Sequence, residues 1–207
     1  METSALQLVI GTTNAHKGRE LAQLLGPLGF RISTLKDFPD PLDVAEDGDS
    51  FAANARLKAS AQARHLGNWV LADDSGLEVE ALDGAPGIYS ARYSGTGDDA
   101  ANNARLLEDL AEVPWERRGA RYFCHVAVAD PAGVIRAESS GECRGRIRFE
   151  QQGSNGFGYD PLFEVREYHQ TFGQLGPHVK AALSHRARAM RAIVPQLVAM
   201  VAKGEWS

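Results

Sequence analysis

Hydrophobic and polar residues follow two different periods in the first part of the chain. The apolar run Leu6–Ile10 predicts a short buried strand, and the leucines of residues 14–25 fall on one stripe of a predicted helix. The sequence FRISTL predicts a second strand. An alanine-rich helical pattern follows, with Asp49 or Ser50 placed to cap its start and Gly67 placed to end it.

The middle and the end of the chain also contain segments with the strand pattern and segments with the helix pattern. Trp69–Ala72 and Leu77–Glu80 predict two short strands separated by the polar sequence DDSG. Alternation in RYFCHVAVAD and a turn at DPAG predict a hairpin whose second strand starts near Val134. Asp98 and Ser184 are placed to cap two further helices. Interleaved strands and helices around a central meander predict an α/β fold with a mixed twisted sheet flanked by helices.

Composition and charge limit the classes of protein that fit this pattern. The 207 residues, 43% of them hydrophobic, suit a single domain over residues 1–207. A formal net charge of −5 argues against non-specific binding to nucleic acid or to an anionic membrane. The chain shows no basic and then apolar leader pattern at Met1, and no apolar run long enough to span a bilayer. We therefore expect a cytoplasmic protein in which Cys124 and Cys143 are reduced, with a single disulfide between neighbouring strands as the alternative.

The sequence GTTNAHKGRE joins the first predicted strand to the first predicted helix. Backbone N–H groups at a helix start face a bound anion and the helix dipole favours negative charge, so this turn suits a phosphate group. The sequence is not a Walker A motif, because His16 rather than glycine precedes Lys17. A cation in the first helical turn works against the dipole unless an anion binds beside it. The alternative is a capped surface helix with an ordinary lysine.

Two adjacent carboxylates, Asp73 and Asp74, follow the predicted strand Trp69–Ala72. Successive strand residues point to opposite faces, so the two side chains are expected to have different surroundings. A carboxylate at a strand end beside a phosphate loop suits Mg²⁺, which takes oxygen ligands, and it suits a water that it orients or deprotonates. Glu46 in the preceding acidic loop is a candidate further ligand. A polar turn and a solvated acidic loop are the alternatives.

Two later segments carry groups that suit a nucleobase. GSNGFGYDP places Phe157, Tyr159 and Asp160 among glycines, which let a flat ligand approach the backbone, and an aromatic ring on such a loop can stack on a base. The alternative for this segment is a glycine-rich hairpin with buried aromatics, and the alternative for His185 in the second segment is a capping or core histidine. The second segment, KAALSHRARAM, offers Lys180, His185 and Arg186 as positive charge near a ligand. Lys58 and Arg92, which lie elsewhere in the chain, could add to it.

The order and wording of these segments resemble the inosine triphosphate pyrophosphatase family, the noncanonical purine nucleoside triphosphate pyrophosphatases. The resemblance runs from TTNAHKGRE through ADDSGLEVEALDGAPGIYSARYSG and GFGYDPLF to SHRARAM, nearly the whole chain. It implies two lobes around a central substrate cleft, a homodimer and dependence on Mg²⁺. It also implies hydrolysis of inosine, deoxyinosine and xanthosine triphosphates to the monophosphate and pyrophosphate.

Carried over by position, the resemblance also implies site residues. Asp74 would be the catalytic proton acceptor and a metal ligand, with Glu46 helping to hold the ion and Asp73 as a weaker ligand. The implied phosphate contacts are Thr12, Thr13, Asn14, Ala15, His16, Lys17 and Lys58, with Arg92 as a further cation. The implied contacts with the rest of the substrate are Ser75, Phe157, Gly158, Tyr159, Asp160, Lys180, His185 and Arg186.

The sequence departs from the family in two places. GPHVK lacks the acidic residue that relatives commonly carry beside Lys180, and the strands of residues 120–150 offer no matched functional residue. Two other functions stay open: a Maf-type pyrophosphatase acting on other nucleotides, and a nucleotide-binding regulator without catalysis. SHRARAM and GFGYDPLF match the purine family better, and the intact carboxylates and Lys17 argue against a pure binder.

Overall fold

The computed structural model describes residues 6–26 and 29–206. Short 3-10 turns join the helices and strands of this part of the chain. The strands are β1 (Gln7–Ile10), β2 (Arg31–Thr34), β3 (Val70–Val79), β4 (Gly119–Ala129), β5 (Ile135–Ile147), β6 (Phe163–Val165) and β7 (Gln170–Thr171). The helices are α1 (Ala15–Leu25), α2 (Phe51–Leu66), α3 (Asp99–Asp109), α4 (Pro177–Leu183) and α5 (His185–Ala202).

The described strands form one mixed sheet in the order β2-β1-β3-β4-β5-β6-β7. β1 runs parallel to both β2 and β3, whereas β6 is antiparallel to both β5 and β7. Parallel neighbours need a crossover, and α1 and α2 supply it between β1, β2 and β3. The predicted α/β class with a mixed sheet is confirmed.

The chain divides into two compact units, each assembled from separate segments. The first unit contains Met1–Asp74, Cys124–Gly141 and Arg188–Ser207, and the second contains Ser75–Phe123 and Glu142–Ala187. β3, β4 and β5 each contribute residues to both units. Two units agree with the two predicted lobes, while the substrate cleft and the single domain over residues 1–207 stay predictions.

The helices of the first unit begin and end at residues that the sequence marks. Asn14 caps α1 by accepting hydrogen bonds from two backbone N–H groups of the first turn. Ser50, rather than Asp49, caps α2 through its hydroxyl oxygen. α2 ends at Gly67, whose φ of 60° lies in the left-handed region that glycine adopts without steric cost. Local chemistry therefore sets these boundaries.

One prediction about the sheet is wrong. Trp69–Ala72 and Leu77–Glu80 are not separate strands, because β3 is one strand of 10 residues with Asp73 and Asp74 inside it. Aspartate is a poor strand residue when its carboxylate has no partner. Here each of the two carboxylates is paired with a lysine from another element of the first unit. These ion pairs let the strand continue through a sequence that is typical of a turn.

The second unit is built around aromatic side chains. The ring of Phe163 lies 4.6 Å from that of Tyr122 and 5.6 Å from that of Phe172, measured between ring centres. Asp98 caps α3, and the Ser184 hydroxyl accepts a hydrogen bond in the first turn of α5, both as predicted. The sequence pattern did not predict α4, β6 or β7, which are short and carry little periodicity.

The end of the chain completes the core of the first unit. Met190, Ile193 and Leu197 of α5 are buried in the cluster that also contains β1 residues. Trp206 stacks on Trp69, with ring centres 4.2 Å apart and planes inclined by 11°. The two cysteines are buried in different clusters, one in each unit. None of the helices in residues 6–26 and 29–206 has the length and apolar character that crossing a bilayer requires.

Candidate active site

The turn after β1 and the start of α1 form the predicted phosphate loop. Thr12 Oγ1 accepts a hydrogen bond from the N–H of Asn14 at 3.2 Å, which closes the turn. A Cβ atom at Gly11 would come within 2.9 Å of Val70 Cγ1, so glycine lets the chain pass close to β3 at this point. The exposed residues of the loop are Thr13, Asn14, Ala15 and His16. The loop follows the carboxyl end of a parallel strand, where open α/β sheets bind their ligands.

A cavity of about 240 Å³ adjoins this loop. Its walls include Arg19 from α1, and Thr34 and Lys36 from the end of β2 and the turn after it. The two cations in these walls, Arg19 and Lys36, were not among the predicted site residues. Both are exposed. Arg19 belongs to the GTTNAHKGRE segment but was not singled out there, whereas Lys36 lies on a separate element and no local sequence signal marks it as a neighbour of the loop.

Lys17, in the first turn of α1, faces Asp73. Its Nζ lies 3.6 Å from Asp73 Oδ2, and the Asp73 side chain is fully buried. Cys124 Sγ lies 3.8 Å from the same oxygen. Part of the reason for a lysine at this position is therefore an internal carboxylate, in addition to any bound phosphate.

Asp74 has different neighbours, as alternation along a strand requires. Lys58 Nζ lies 3.1 Å from Asp74 Oδ1, and Asn54 Nδ2 donates a hydrogen bond to Oδ2 at 3.2 Å. The residue is 5% exposed. Burial raises the pKa of Asp74 above its ordinary value, although the positive charges of Lys58 and Lys17 act in the opposite direction. The carboxylate is thus held in place and made more basic than an exposed aspartate.

Lys58 joins Asp74 to the acidic loop before α2. Its Nζ lies 3.2 Å from Glu46 Oε1, so one ammonium group contacts two carboxylates. Burial alone lowers the pKa of Lys58, but the negative charges of Asp74, Asp73 and Glu46 outweigh it and raise that pKa overall. Lys58 therefore stays charged beside the candidate catalytic carboxylate.

Asn54 is a site residue that the sequence interpretation missed. It is fully buried, its Nδ2 donates to Asp74, and its Oδ1 accepts a hydrogen bond from the N–H of Gly48 at 2.8 Å. A Cβ atom at Gly48 would come within 2.6 Å of that oxygen. Asn54 thus links the loop that carries Glu46 to the carboxylate of Asp74. An asparagine inside an alanine-rich helix, where its propensity is poor, was the available signal.

The carboxylates suit a cation that takes few protein ligands. Within the described ranges there is no group of three or more His, Cys, Asp or Glu side chains placed to hold a metal ion. Glu46 and Asp74 nevertheless both contact one ammonium group, at 3.2 and 3.1 Å, so a positive charge already lies between their oxygens. Mg²⁺ at nucleotide sites is bound through one or two carboxylates together with phosphates and water. The carboxylates of Glu46 and Asp74 fit such an ion, whereas the carboxylate of Asp73 is paired with Lys17.

The residues predicted to face the base lie together in the second unit. Lys180 Nζ lies 2.6 Å from Asp160 Oδ2 and 4.3 Å from the centre of the Phe157 ring. The N–H of Phe157 donates to the same carboxylate oxygen at 2.9 Å. A Cβ atom at Gly156 would come within 2.0 Å of that oxygen, so glycine is required there. Asp160 therefore orders the aromatic loop and orients Lys180 at the same time.

His185 stacks on Tyr122, which the sequence interpretation also missed. Their ring centres are 4.7 Å apart and their planes are inclined by 12°. The Tyr122 hydroxyl donates to Asp160 Oδ1 at 3.4 Å. Burial raises the pKa of Tyr122 well above its ordinary value, so the hydroxyl keeps its proton. Its position in an alternating strand is the same as that of any core aromatic, and sequence alone gives no further signal.

Arg186 and Ser75 are brought together although 111 positions separate them in sequence. Arg186 Nη2 donates to Ser75 Oγ at 2.9 Å, and the guanidinium carbon lies 5.9 Å from the centre of the Phe157 ring. The arginine is 1% exposed. A buried guanidinium beside an aromatic ring presents a fixed set of donors, which suits a planar ligand.

Two other predicted residues have different surroundings. The Tyr159 hydroxyl donates to the carbonyl oxygen of Ser90 at 2.8 Å, so this side chain holds two loops together. Arg92 is exposed, with its guanidinium carbon 5.3 Å from the centre of the Tyr89 ring.

Known proteins of similar sequence and structure identify the family of this chain. The model of the Ham1 family matches residues 8–196. A dITP/XTP pyrophosphatase of Rhodopirellula baltica is 55% identical over 195 residues, 94% of each chain, and one of Desulforamulus reducens is 50% identical over 90% of this chain and 92% of its own. Among solved structures, a HAM1 protein from Coxiella burnetii has a TM-score of 0.84 at 35% identity over 94% of this chain and 98% of its own. A nucleoside-triphosphatase / dITP/XTP pyrophosphatase from Mycobacterium abscessus has a TM-score of 0.74 at 42% identity over 91% and 99%. These matches confirm the resemblance seen in the sequence, and the chain belongs to the Ham1 family.

Proposed function

We propose that this protein hydrolyses inosine, deoxyinosine and xanthosine triphosphates to the monophosphate and pyrophosphate, which removes noncanonical purines from the nucleotide pool. The observation that carries the proposal is the buried Asp74, fixed by Lys58 and Asn54 in the same unit as the phosphate loop. Relatives at 50% and 55% identity over nine tenths of this chain are named dITP/XTP pyrophosphatases.

Binding of the triphosphate begins with neutralisation of its charge. The start of α1 offers the positive end of the helix dipole, and Lys17 and Lys58 add two ammonium groups. At an effective dielectric constant of about 20, a close pair of opposite charges is worth roughly 4 kcal/mol before desolvation. Several such contacts together hold the phosphates while the acidic chain as a whole repels them.

Asp74 acts as the proton acceptor. A water molecule held by its carboxylate attacks the α-phosphorus, the bond from that phosphorus to the bridging oxygen breaks, and pyrophosphate leaves. The proton of the water passes to Asp74, whose raised pKa suits this role. Lys58 and Lys17 stabilise the negative charge that develops on the phosphate oxygens.

Glu46 and Asp74 are the residues that would hold Mg²⁺, together with the phosphates of the substrate. When bound, Mg²⁺ supplies a lowered pKa for a coordinated water and offsets charge on the leaving group. Lys58 contacts both carboxylates and so keeps them close to each other in the absence of the ion.

Recognition of the base follows from hydrogen-bond polarity. Inosine and xanthosine carry an acceptor oxygen at position 6 of the purine, whereas adenosine carries an amino donor there. Lys180 and Arg186 have donors only. A site that offers buried donors rejects a base that leaves them unpaired. The Phe157 ring, next to both cations, supplies a surface for stacking.

Replacing Arg186 by Ala is expected to narrow the preference for inosine over adenosine triphosphate by about tenfold, the effect of losing one charged hydrogen bond. The measurement is kcat/KM for both substrates. Arg188→Ala, two positions along the same helix at an exposed residue, is the matched control. Unchanged selectivity in Arg186→Ala would count against base recognition by this residue.

The function itself is tested by pyrophosphate release across inosine, xanthosine, adenosine, guanosine and pyrimidine triphosphates, with and without Mg²⁺. We expect release from the inosine and xanthosine substrates only when Mg²⁺ is present. Preference for pyrimidine or other modified nucleotides would favour the Maf-type alternative. Tight binding of inosine triphosphate without release would favour a regulator.

Two further properties belong to the same proposal. We propose a homodimer, for which light scattering should give twice the mass of one chain, and a cytoplasmic location. The homodimer is supported by the resemblance to the family, and the cytoplasmic location by that resemblance and by the nucleoside triphosphate substrate.

A further inference from the structure

Helix α3 carries polar residues that the mechanism above does not use. Asn102 and Asn103 are 2% and 3% exposed, and Asp99 lies one turn before Asn103 on the same helix. Burying an amide is costly unless it makes hydrogen bonds, so two adjacent buried asparagines need a reason.

Asp99 and Asn103 bind the N–H and the carbonyl oxygen of Gly158, the residue after Phe157. Asp99 Oδ2 accepts a hydrogen bond from the N–H of Gly158 at 2.7 Å, and Asn103 Nδ2 donates to the carbonyl oxygen of Gly158 at 2.9 Å. Their spacing of four residues puts both side chains on the same face of α3. Gly158 has φ +62°, a conformation that L side chains rarely adopt and that glycine permits, and the two hydrogen bonds fix its backbone there.

Asn102 holds a second loop in the same way. Its Oδ1 accepts hydrogen bonds from the N–H and the hydroxyl of Ser94, both at 2.8 Å, and its Nδ2 donates to the carbonyl oxygen of Ala91 at 3.2 Å. The bond from Tyr159 to Ser90 joins the two loops directly. One helix therefore sets the backbone of the turn around Arg92 and of the loop around Gly158.

We propose that Asp99 and Asn103 are positioning residues for base recognition. By holding the peptide groups of Gly158 they fix the direction of Phe157, whose ring lies against Lys180 and Arg186. Asn103 Oδ1 is buried and makes no hydrogen bond with the described residues, so the bond to Gly158 accounts for the amide at this position. This inference rests on the proposed function, because it assigns a role within the same site.

The first test replaces Asn103 by Ala and measures kcat and KM for inosine and adenosine triphosphates. We expect KM for inosine triphosphate to rise about tenfold and the inosine-over-adenosine preference to fall by a similar factor, since one buried hydrogen bond is lost. We expect kcat to change less than about twofold, because the residues around Asp74 are untouched. Leu106→Ala, at a buried apolar position of α3, is the control for loss of stability alone.

The second test concerns Asp99, whose carboxylate accepts the hydrogen bond from the N–H of Gly158. Asp99→Ala removes the acceptor for Gly158, whereas Asp99→Asn keeps an oxygen there, so KM should rise in the first variant and stay near the original value in the second. Because both residues hold the same peptide, the double variant Asp99→Ala/Asn103→Ala should raise KM by less than the product of the single effects.

The outcomes separate this inference from the proposed function. If the unaltered protein releases pyrophosphate from inosine triphosphate and Asn103→Ala changes neither KM nor the substrate preference, the positioning role is wrong and the function stands. A similar change in Leu106→Ala would also overturn the role, because general destabilisation would then explain it. If the unaltered protein releases no pyrophosphate from any purine triphosphate, the proposed function itself fails.

Discussion

An Asp74→Asn protein is expected to lose about a thousandfold in kcat while it keeps its fold, because general-base catalysis contributes roughly 10²–10⁴-fold. The amide has nearly the shape of the carboxylate, and its oxygen can still accept the hydrogen bond from Asn54. It cannot take a proton from water, and it is a poorer partner for a cation. The measurement is the rate of pyrophosphate release at saturating inosine triphosphate and Mg²⁺.

A measurement of thermal stability distinguishes the expected loss of kcat in Asp74→Asn from misfolding. Burial raises the pKa of Asp74 above its value in the unfolded chain, so the stability linked to its protonation is present at low pH and is lost as the pH rises through that pKa. The amide keeps the hydrogen bond from Asn54 and Lys58 keeps its contact with Glu46, so the Asp74→Asn protein is expected to stay folded at neutral pH, which its melting temperature checks. Asp43→Asn makes the same chemical change at an exposed position and is expected to leave kcat unaltered. A near-normal rate in Asp74→Asn would remove this residue from the mechanism.

Arg118→Met is expected to lower the free energy of unfolding by about 3–5 kcal/mol, since hydrogen bonds to charged groups are worth roughly 1.5–3 kcal/mol each. Arg118 is 2% exposed and donates to the carbonyl oxygens of Leu110, Val113 and Arg148, at 2.5, 2.9 and 3.1 Å. Methionine fills much of the same space but leaves three acceptors without their donor. The substitution also removes the Arg118 guanidinium, whose carbon lies 4.0 Å from the centre of the Phe149 ring.

Chemical denaturation of Arg118→Met beside Arg117→Met measures this effect. Arg117 is the neighbouring residue and is exposed, so its replacement should change the free energy of unfolding by less than about 0.5 kcal/mol. Equal destabilisation in the two variants would mean that the three carbonyl contacts contribute little. This arginine was not singled out from the sequence, because its three partners lie in loops and at helix ends.

The elements that the sequence predicted well are those determined by neighbouring residues. Asn14, Ser50 and Gly67 act through hydrogen bonds or backbone angles within a few positions, so a local pattern contains the whole cause. The segments proposed to recognise the base were singled out through resemblance to a family rather than through a physical pattern, and their role stays a prediction. What brings Ser75 to Arg186 is the fold, and no periodicity indicates it.

The elements that the sequence did not predict depend on distant partners. The two carboxylates in β3 are typical of a turn until Lys17 and Lys58 are placed beside them, and those lysines lie 56 and 16 positions away from Asp73 and Asp74. Tyr122 has the pattern of a core residue and also supports His185 and Asp160. A pattern shows that such a side chain is buried, and only the fold shows what it is buried against.

The division of the first unit into three segments has a consequence for synthesis on the ribosome. Its opening segment leaves the exit tunnel early, but the residues of α5 and Trp206 that complete its core are translated only after all of the second unit. A nascent chain stalled before position 188 must expose the apolar side of β1 and Trp69, which makes it a substrate for chaperones and proteases. The first unit can therefore become protease-resistant only after the residues up to Trp206 have left the exit tunnel.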